Sequence, residues 1–376
     1  MNGIYYYLIA FICIWILALI FRNKLDDYGI EMNFPILMWK TQRLRGMISR
    51  ISNFSPRFWR WFMNVGIVVA FIAMIFITWT IISSLPSVFE TPAVSIVIPG
   101  VEVPGSSIYI PLGYGLLALA TVLVVHEFSH GIQAVGEKIS IKSIGLLLFA
   151  ILPGAFVEPD EDELKNAPKI SRLRVYAAGS IANISLALIA ILLVSLFSAA
   201  IPTYFAEDGI AINRIVSDSP SDGILKEGMI LEAIDGHEIT NSTDYSEVVS
   251  SYHPGDNVTV QTNDGSYTLT LSKNPNNESR GFFGIQASKH FELINDSLGP
   301  VPWILFELVE LFQWVFMLNL GIGLFNLLPI KPLDGGHMLE ILLTYKMSES
   351  TAKPIVNAIS GVMGIIIVFS IIVGFI

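Results

Sequence analysis

Apolar runs long enough to cross a membrane recur along this chain, separated by polar stretches of differing charge. Gly3–Phe21, Trp61–Leu85, Ile110–Val135, Val175–Phe197, Leu298–Leu328 and Pro354–Ile376 are each dominated by Leu, Ile, Val, Phe and Ala. Runs of about 20 such residues are what a hydrocarbon layer of roughly 30 Å demands of a helix. Ile139–Val157 is apolar too, but Lys142, Pro153 and Gly154 interrupt it. It is expected to form a membrane-dipping strand pair. A full span is the alternative and would invert the topology of everything after it. Thr203–Ser297 reads differently. Alternating runs at Ile210–Val216, Val258–Thr262 and Tyr267–Leu271 predict strands, and Asp244–Ser251 predicts a short helix. Asp235-Gly236, Pro254-Gly255 and Asp264-Gly265 supply turns.

The expected fold is a polytopic α-helical membrane protein of about six spans, with a membrane-dipping β segment and an inserted α+β domain. The divisions fall at 1–109 (two spans, a basic loop and an external loop), 110–202 (first part of a membrane core), 203–297 (inserted domain), 298–353 (second part of the core) and 354–376 (last span). Composition agrees: the chain is 53% hydrophobic and only 14% charged, which excludes an ordinary soluble domain. The inserted segment holds 15 acidic and 5 basic residues and so carries the whole net charge of −10. The remainder is close to neutral, and nucleic-acid binding has no basic patch to support it.

Charge also sets the expected orientation. Arg22–Arg60 carries Arg22, Lys24, Lys40, Arg43, Arg45, Arg50, Arg57 and Arg60 against Asp26, Asp27 and Glu31, which places this loop in the cytoplasm. Trp59 and Trp61 beside it suit an interfacial anchor. Counting spans from there makes Pro86–Ser107 an external loop and Thr203–Ser297 extracytoplasmic. The sequons at Asn241, Asn257, Asn277 and Asn295 suit that side. The N-terminal run has no basic n-region and is read as a retained span. Cys13, the single cysteine, lies in that run and is read as a lipid-facing or packing residue.

The chemistry sits in the third run. LLALATVLVVHEFSHG, Leu116–Gly131, places His126, Glu127 and His130 in the pattern H-E-x-x-H. Residues four apart share a helix face, so both imidazoles can address one metal ion, with Glu127 one step round as a general base. Entering from outside at Ile110, His126 lies 16 residues down the helix, or about 24 Å. That puts the site in the inner part of the bilayer, where ionisable groups are costly and by default functional. A second stretch, NLLPIKPLDGGH (Asn326–His337), breaks a helix at membrane depth and ends near Asp334. His126, His130 and Asp334 would complete a two-His, one-carboxylate zinc site. The sequence does not by itself bring Asp334 to the histidines. Gly179 and Asn183, four apart in the fourth run, are read as a helix-packing pair, the glycine admitting close approach and Asn183 bonding across it, with a direct catalytic role as the alternative. His237, His253 and His290 have no ligand spacing and are read as surface residues.

H-E-F-S-H-G in one apolar run and N-x-x-P-x-x-P-L-D-G-G in a later one together resemble the site-2 protease family of intramembrane zinc metalloproteases. The resemblance runs from Ile110 to about His337, and Phe34–Met47 is similar to the eukaryotic and archaeal branch. Asn213–Ile239 resembles a protease-associated PDZ domain, with Met229 where such domains usually have Asp. A peptide groove would begin near Gly209-Ile210. The resemblance implies that His126, His130 and Asp334 bind Zn2+ and that Glu127 is the catalytic carboxylate. It implies that Asn326 holds the substrate carbonyl or its oxyanion. His337 matches some members and is assigned no role. The implied activity is cleavage of transmembrane segments of single-span membrane proteins within the lipid bilayer, after an upstream site-1-type protease has trimmed them. The implied location is the cell membrane, with a multi-pass chain and the active site toward the cytoplasm. An exposed strand edge within Ile144–Val157 is expected to pair with the unwound substrate, so that proline at Leu147 or Phe149 would disrupt cleavage. The alternatives are a catalytically inactive membrane scaffold that binds peptides through the PDZ-like domain, and a transporter built on broken helices.

Overall fold

A computed structural model describes residues 4–375 apart from 43, 91, 93, 104, 105, 107, 151 and 276. Gly3 and Arg43, and Pro104, Gly105 and Ser107 of the expected external loop, lie outside the described residues. The chain divides into two compact units, Met1–Ser195 with Glu307–Ile376, and Leu196–Phe306. The second reaches past the expected 203–297 at both ends.

The first unit opens with α1 (Ile4–Ile20), α2 (Arg22–Asp27), β1 (Ile30–Asn33), β2 (Ile36–Thr41), α3 (Arg45–Phe54) and α4 (Pro56–Ser83). Then follow α5 (Leu112–Gly136), β3 (Ile141–Phe149), β4 (Leu152–Pro159), α6 (Glu161–Asn166) and α7 (Lys169–Tyr204), which runs on into the second unit. Among the described residues five helices are long and apolar enough to cross a membrane; these include α4, α5 and α7, and α1 is a shorter apolar helix. Their outward faces stay apolar: Ile75 is 70% exposed and Leu192 69%. Exposed apolar stripes of this extent fit a lipid solvent and a multi-pass membrane protein.

The expected strand pair is present as β3 and β4, but it belongs to a four-stranded antiparallel sheet ordered β1-β2-β3-β4. β2 comes from the stretch read as a basic loop, and Trp39 faces Leu146 across the β2–β3 ladder. The exposed edge is therefore β4. Leu147 and Phe149 lie on β3, paired to β2 and β4 at once, so proline there would break the sheet rather than probe an edge. Ile48 of α3 is fully buried against Ile141, Ile144 and Val157 and pins the sheet to α5.

Small residues let the helices close up. Ala177 and Ala178 of α7 are fully buried against Met63, Ile67, Ala70 and Met74 of α4. Without bulky side chains the backbones approach, and van der Waals packing replaces the hydrophobic effect that lipid removes. A buried charge cluster locks the end of α5. Glu137 accepts from Arg174 Nη1 at 2.9 Å, Ser171 Oγ at 2.5 Å and Gln133 Nε2 at 3.1 Å, and Arg60 Nε lies 3.6 Å away. This joins α4, α5 and α7 at one point.

The second unit holds β5 (Phe205–Ile215), β6 (Ile230–Ile234), β7 (His237–Glu238), α8 (Ser242–Ser250), β8 (Asn257–Thr262) and β9 (Gly265–Thr270). β10 (Ser272–Asn274), β11 (Asn277–Phe282) and β12 (Ile285–Leu293) complete it. The main sheet is ordered β12-β5-β6-β8-β9, with β7 paired to β6. Asp235 and Gly236 both take positive φ, 48° and 78°, as a two-residue hairpin between β6 and β7 requires. Met229 is 5% exposed and packs in this core, which explains how the position tolerates an apolar residue. The expected groove at Gly209-Ile210 is not an edge. Ile210 pairs with Leu231 of β6 on one side and Lys289 of β12 on the other. The open edge at that end of the sheet belongs to β12.

The chain re-enters the first unit along α9 (Ile304–Asn326), turns, and continues as α10 (Asp334–Leu343) and α11 (Glu349–Val373). α9 and α11 are the remaining two of the five long apolar helices.

Candidate active site

α5 carries His126 and His130 one turn apart, and their Nε2 atoms lie 3.2 Å from each other. Asp334, the first residue of α10, sets its Oδ2 3.4 Å from each. The three side chains are only 12–13% exposed. A tetrahedral ion with ligands at about 2.05 Å spaces its ligand atoms by roughly 3.3 Å. The observed triangle thus has the size of one face of such a tetrahedron, leaving the fourth corner free. Two imidazoles and a carboxylate are also a donor set suited to zinc.

Neighbouring groups aim these donors. His130 Nδ1 lies 2.7 Å from the Val175 carbonyl of α7, which only accepts. Nδ1 therefore carries the proton and Nε2 presents its lone pair to the triangle. Ser180 Oγ donates to Asp334 Oδ2 at 3.3 Å. Gly179 is the point of closest approach: a Cβ there would stand 2.7 Å from Nε2 of His126 and would collide with Nε2 of His130.

Asp334 is placed by the broken helix. After α9 ends, Leu327 and Leu328 are fully buried, and the chain folds back on the first turn of α10. A Cβ on Gly336 would come within 2.5–2.6 Å of the Ile330 carbonyl, and one on Gly335 would strike the Leu327 backbone. The two glycines after Asp334 exist to let this loop lie against the helix that presents the carboxylate. Lys331 N–H donates to Ser360 Oγ on α11 at 3.0 Å and fixes the loop's far side.

Glu127 sits one residue on from His126, and its Oε2 accepts from Val157 N–H of β4 at 3.1 Å. Asn326 closes α9 eight residues before Asp334 and makes no hydrogen bond with the other four among the described residues. The structure thus brings His126, His130 and Asp334 together, ties Glu127 to the sheet edge, and leaves Asn326 at a helix end. Asn183 was expected to bond across a close helix contact, and its amide Nδ2 lies 3.2 Å from Nδ1 of His126, a partner the sequence did not name. The signal was a lone carboxamide in an otherwise apolar run.

Known proteins are similar to this chain. The profile of peptidase family M50 matches residues 114–369. An uncharacterized protein of Methanocaldococcus jannaschii is 32% identical over 230 residues, covering 61% of this chain and 57% of that one. A membrane-bound transcription factor site-2 protease homolog of Arabidopsis thaliana is 26% identical over 140 residues, covering 37% of this chain and 27% of that one. The chloroplastic membrane metalloprotease ARASP of the same plant is 25% identical over 311 residues, covering 61% and 69%. The chain therefore spans 57% and 27% of the lengths of the first two. Among solved structures, the PDZ domain of an SdrC-like protein from Listeria innocua is similar at 23% identity and a TM-score of 0.21, covering 22% of this chain and 97% of that domain. With the profile extending over well more than half of its residues, the chain belongs to peptidase family M50, the site-2 protease family.

Proposed function

We propose that this protein is an intramembrane zinc endopeptidase that cuts transmembrane segments of single-span membrane proteins. The observation that carries the reading is the Nε2–Nε2–Oδ2 triangle of 3.2–3.4 Å, whose histidines lie on α5, a helix long and apolar enough to span a bilayer, and whose Asp334 opens the short α10 after the span-length α9. His126, His130 and Asp334 would hold the ion. Zinc, when bound, supplies Lewis acidity that polarises a peptide carbonyl and brings a water's pKa near neutrality. Glu127 takes the proton of the attacking water and passes it to the leaving amine, so one carboxylate serves as base and then acid. Asn326 is assigned the substrate carbonyl, which suits an amide donor.

A transmembrane helix hides its peptide bonds in its own hydrogen bonds and must unwind to be cut. β4 supplies replacements. Val157 turns its N–H to Glu127 and away from β3, so by strand alternation Ala155 and Pro153 also present their backbone outward. Pro153 has no N–H, which leaves Ala155 to donate to an added strand. Beside this edge lies an apolar cavity of 780 Å³, walled by Leu17 of α1, Leu119 and Leu123 of α5, and Leu147 and Ala155 of the sheet. A guest pairing with Ala155 would reach the neighbourhood of Glu127 through the same strand. In the proposed orientation the basic stretch before α4 is cytoplasmic, the unit Leu196–Phe306 is extracytoplasmic and the triangle lies toward the cytoplasm.

The test is zinc content and cleavage of a single-span substrate with a short ectodomain, for wild type and Glu127→Gln in liposomes. About one zinc per chain is expected in both, with cleavage in wild type alone and its loss on adding a chelator. Wild type without metal overturns the reading.

A further inference from the structure

Among the described residues, two amide oxygens buried in the membrane unit have no partner, Oδ1 of Asn183 on α7 and Oδ1 of Asn319 on α9. Both residues are fully buried. Buried acceptors are nearly always satisfied, so the pair calls for an account. Asn183 directs Nδ2 at Nδ1 of His126 across 3.2 Å. In the zinc site proposed above, on which this inference rests, Nε2 of His126 is the ligand and Nδ1 carries the proton. Two donors would then face each other. Rotating the carboxamide about its last torsion exchanges Oδ1 and Nδ2 without moving any other atom. His126 then donates to Oδ1 of Asn183, and the first orphan disappears.

The rotation also aims the Nδ2 donors of Asn183 away from the imidazole, where they need an acceptor. α9 has one. Gly323 packs against Asn183, since a Cβ on it would lie 3.2 Å from the Asn183 Cβ, and Asn319 is one turn back on the same helix face. Asn319 already spends its own amide as a donor, to Thr121 Oγ1 at 2.9 Å and Val315 O at 2.9 Å, and so exposes only its oxygen. Thr121 passes the sense on, donating to the Ala118 carbonyl of α5 at 2.7 Å.

We infer that Asn183 and Asn319 form a one-way hydrogen-bond relay across α5, α7 and α9 that fixes His126 as an Nε2 ligand. It runs from His126 Nδ1–H to Asn183 Oδ1, and from Asn183 Nδ2–H to Asn319 Oδ1, directly or across one water. It then runs from Asn319 Nδ2–H to Thr121 Oγ1 and ends on the α5 backbone. Both are positioning residues: they touch neither substrate nor metal. The relay sets the tautomer of one ligand from its far side, as the Val175 carbonyl does for His130.

The test is zinc affinity of the full chain in detergent, read by competition with a chromophoric chelator, alongside thermal unfolding. Asn183→Leu keeps the branching at Cγ and removes both ends of the relay; a 10–100-fold loss of affinity is expected, on the order of other partners behind ligands. Asn183→Asp keeps an acceptor for Nδ1–H and is expected to hold affinity near wild type. Asn319→Leu, one bond further out, is expected to lose affinity by a smaller factor and carries the test if Asn183→Leu does not fold. Zinc held equally by wild type, Asn183→Leu and Asn319→Leu overturns the relay and leaves the protease reading standing. An Asp variant as weak as the Leu variant also overturns it, because an acceptor facing Nδ1–H would then not hold the ligand. Wild type that binds no zinc sinks the protease reading and the relay with it.

Discussion

Gly179 shows how narrow the tolerance around the two histidines is. Its missing Cβ is the space that the imidazoles occupy. Gly179→Ala is expected to push α7 off α5, costing about 1–3 kcal/mol of stability as overpacking does. Zinc uptake should fall further than thermal stability, because the ligands themselves are displaced. Metal analysis beside a thermal melt in detergent distinguishes this from simple unfolding. At this scale the sequence was eloquent where chemistry is periodic along one helix. His126, Glu127 and His130 announce themselves by spacing alone. Asp334 was reached through its resemblance to a family motif, since no local rule joins residues some 200 positions apart. A bond from Asn183 across the helix contact was expected, but its partner was not legible for the same reason. Its partner His126 is 57 residues away, and only the packing of α7 on α5 sets that meeting.

Elements fared unevenly. The long apolar helices and the strands of the acidic unit were legible because their periods repeat. β3 and β4 were legible because prolines and glycines break an apolar run. β1 and β2 were not, because Ile36–Thr41 is a six-residue strand among basic residues and its partner β3 lies across α4 and α5. Finding them moved the free edge to β4. Ala155→Pro should therefore remove the one outward N–H of the central edge and cut cleavage strongly, while the β3–β4 ladder survives. Assays of cleavage and of zinc content on that variant check it; full activity would exclude strand addition at β4. In the second unit α8 begins with a cap in which Asn241 Oδ1 accepts from Thr243 and Asp244 N–H. The Asp244 carboxyl is held below its usual range, chiefly by the Thr240 hydroxyl at 2.7 Å and then by the Thr240 N–H. A pKa lowered on folding stabilises the folded state above the unfolded value, about 3.9, and that contribution fades as pH falls through the lower folded value. Hydrogen exchange of α8, corrected for intrinsic rates, should therefore quicken below about pH 4 in wild type. Asp244→Asn should remove that acid dependence.

For the molecule as a whole, the membrane unit is assembled from segments far apart in sequence, with Leu196–Phe306, from the last turns of α7 to the start of α9, inserted between them. Composition foresaw the two kinds of segment, and charge foresaw which one is acidic. What composition could not foresee is the clamp at Glu137, whose side chain is 5% exposed and binds Arg174, itself 14% exposed. Glu137→Leu would strand a buried guanidinium and is expected to cost about 3 kcal/mol. The loss should register as a lower melting temperature of the detergent-solubilised protein with zinc stoichiometry unchanged. The bond between Val157 and Glu127 has a wider consequence. The strand proposed to recognise a guest also holds the base that would activate the attacking water. A chain that remains helical keeps its amides to itself and offers β4 nothing to grip. Discrimination between folded and frayed segments would then need no separate inspector: failure to unwind is itself the rejection, and an intact membrane neighbour would be spared by its own regularity.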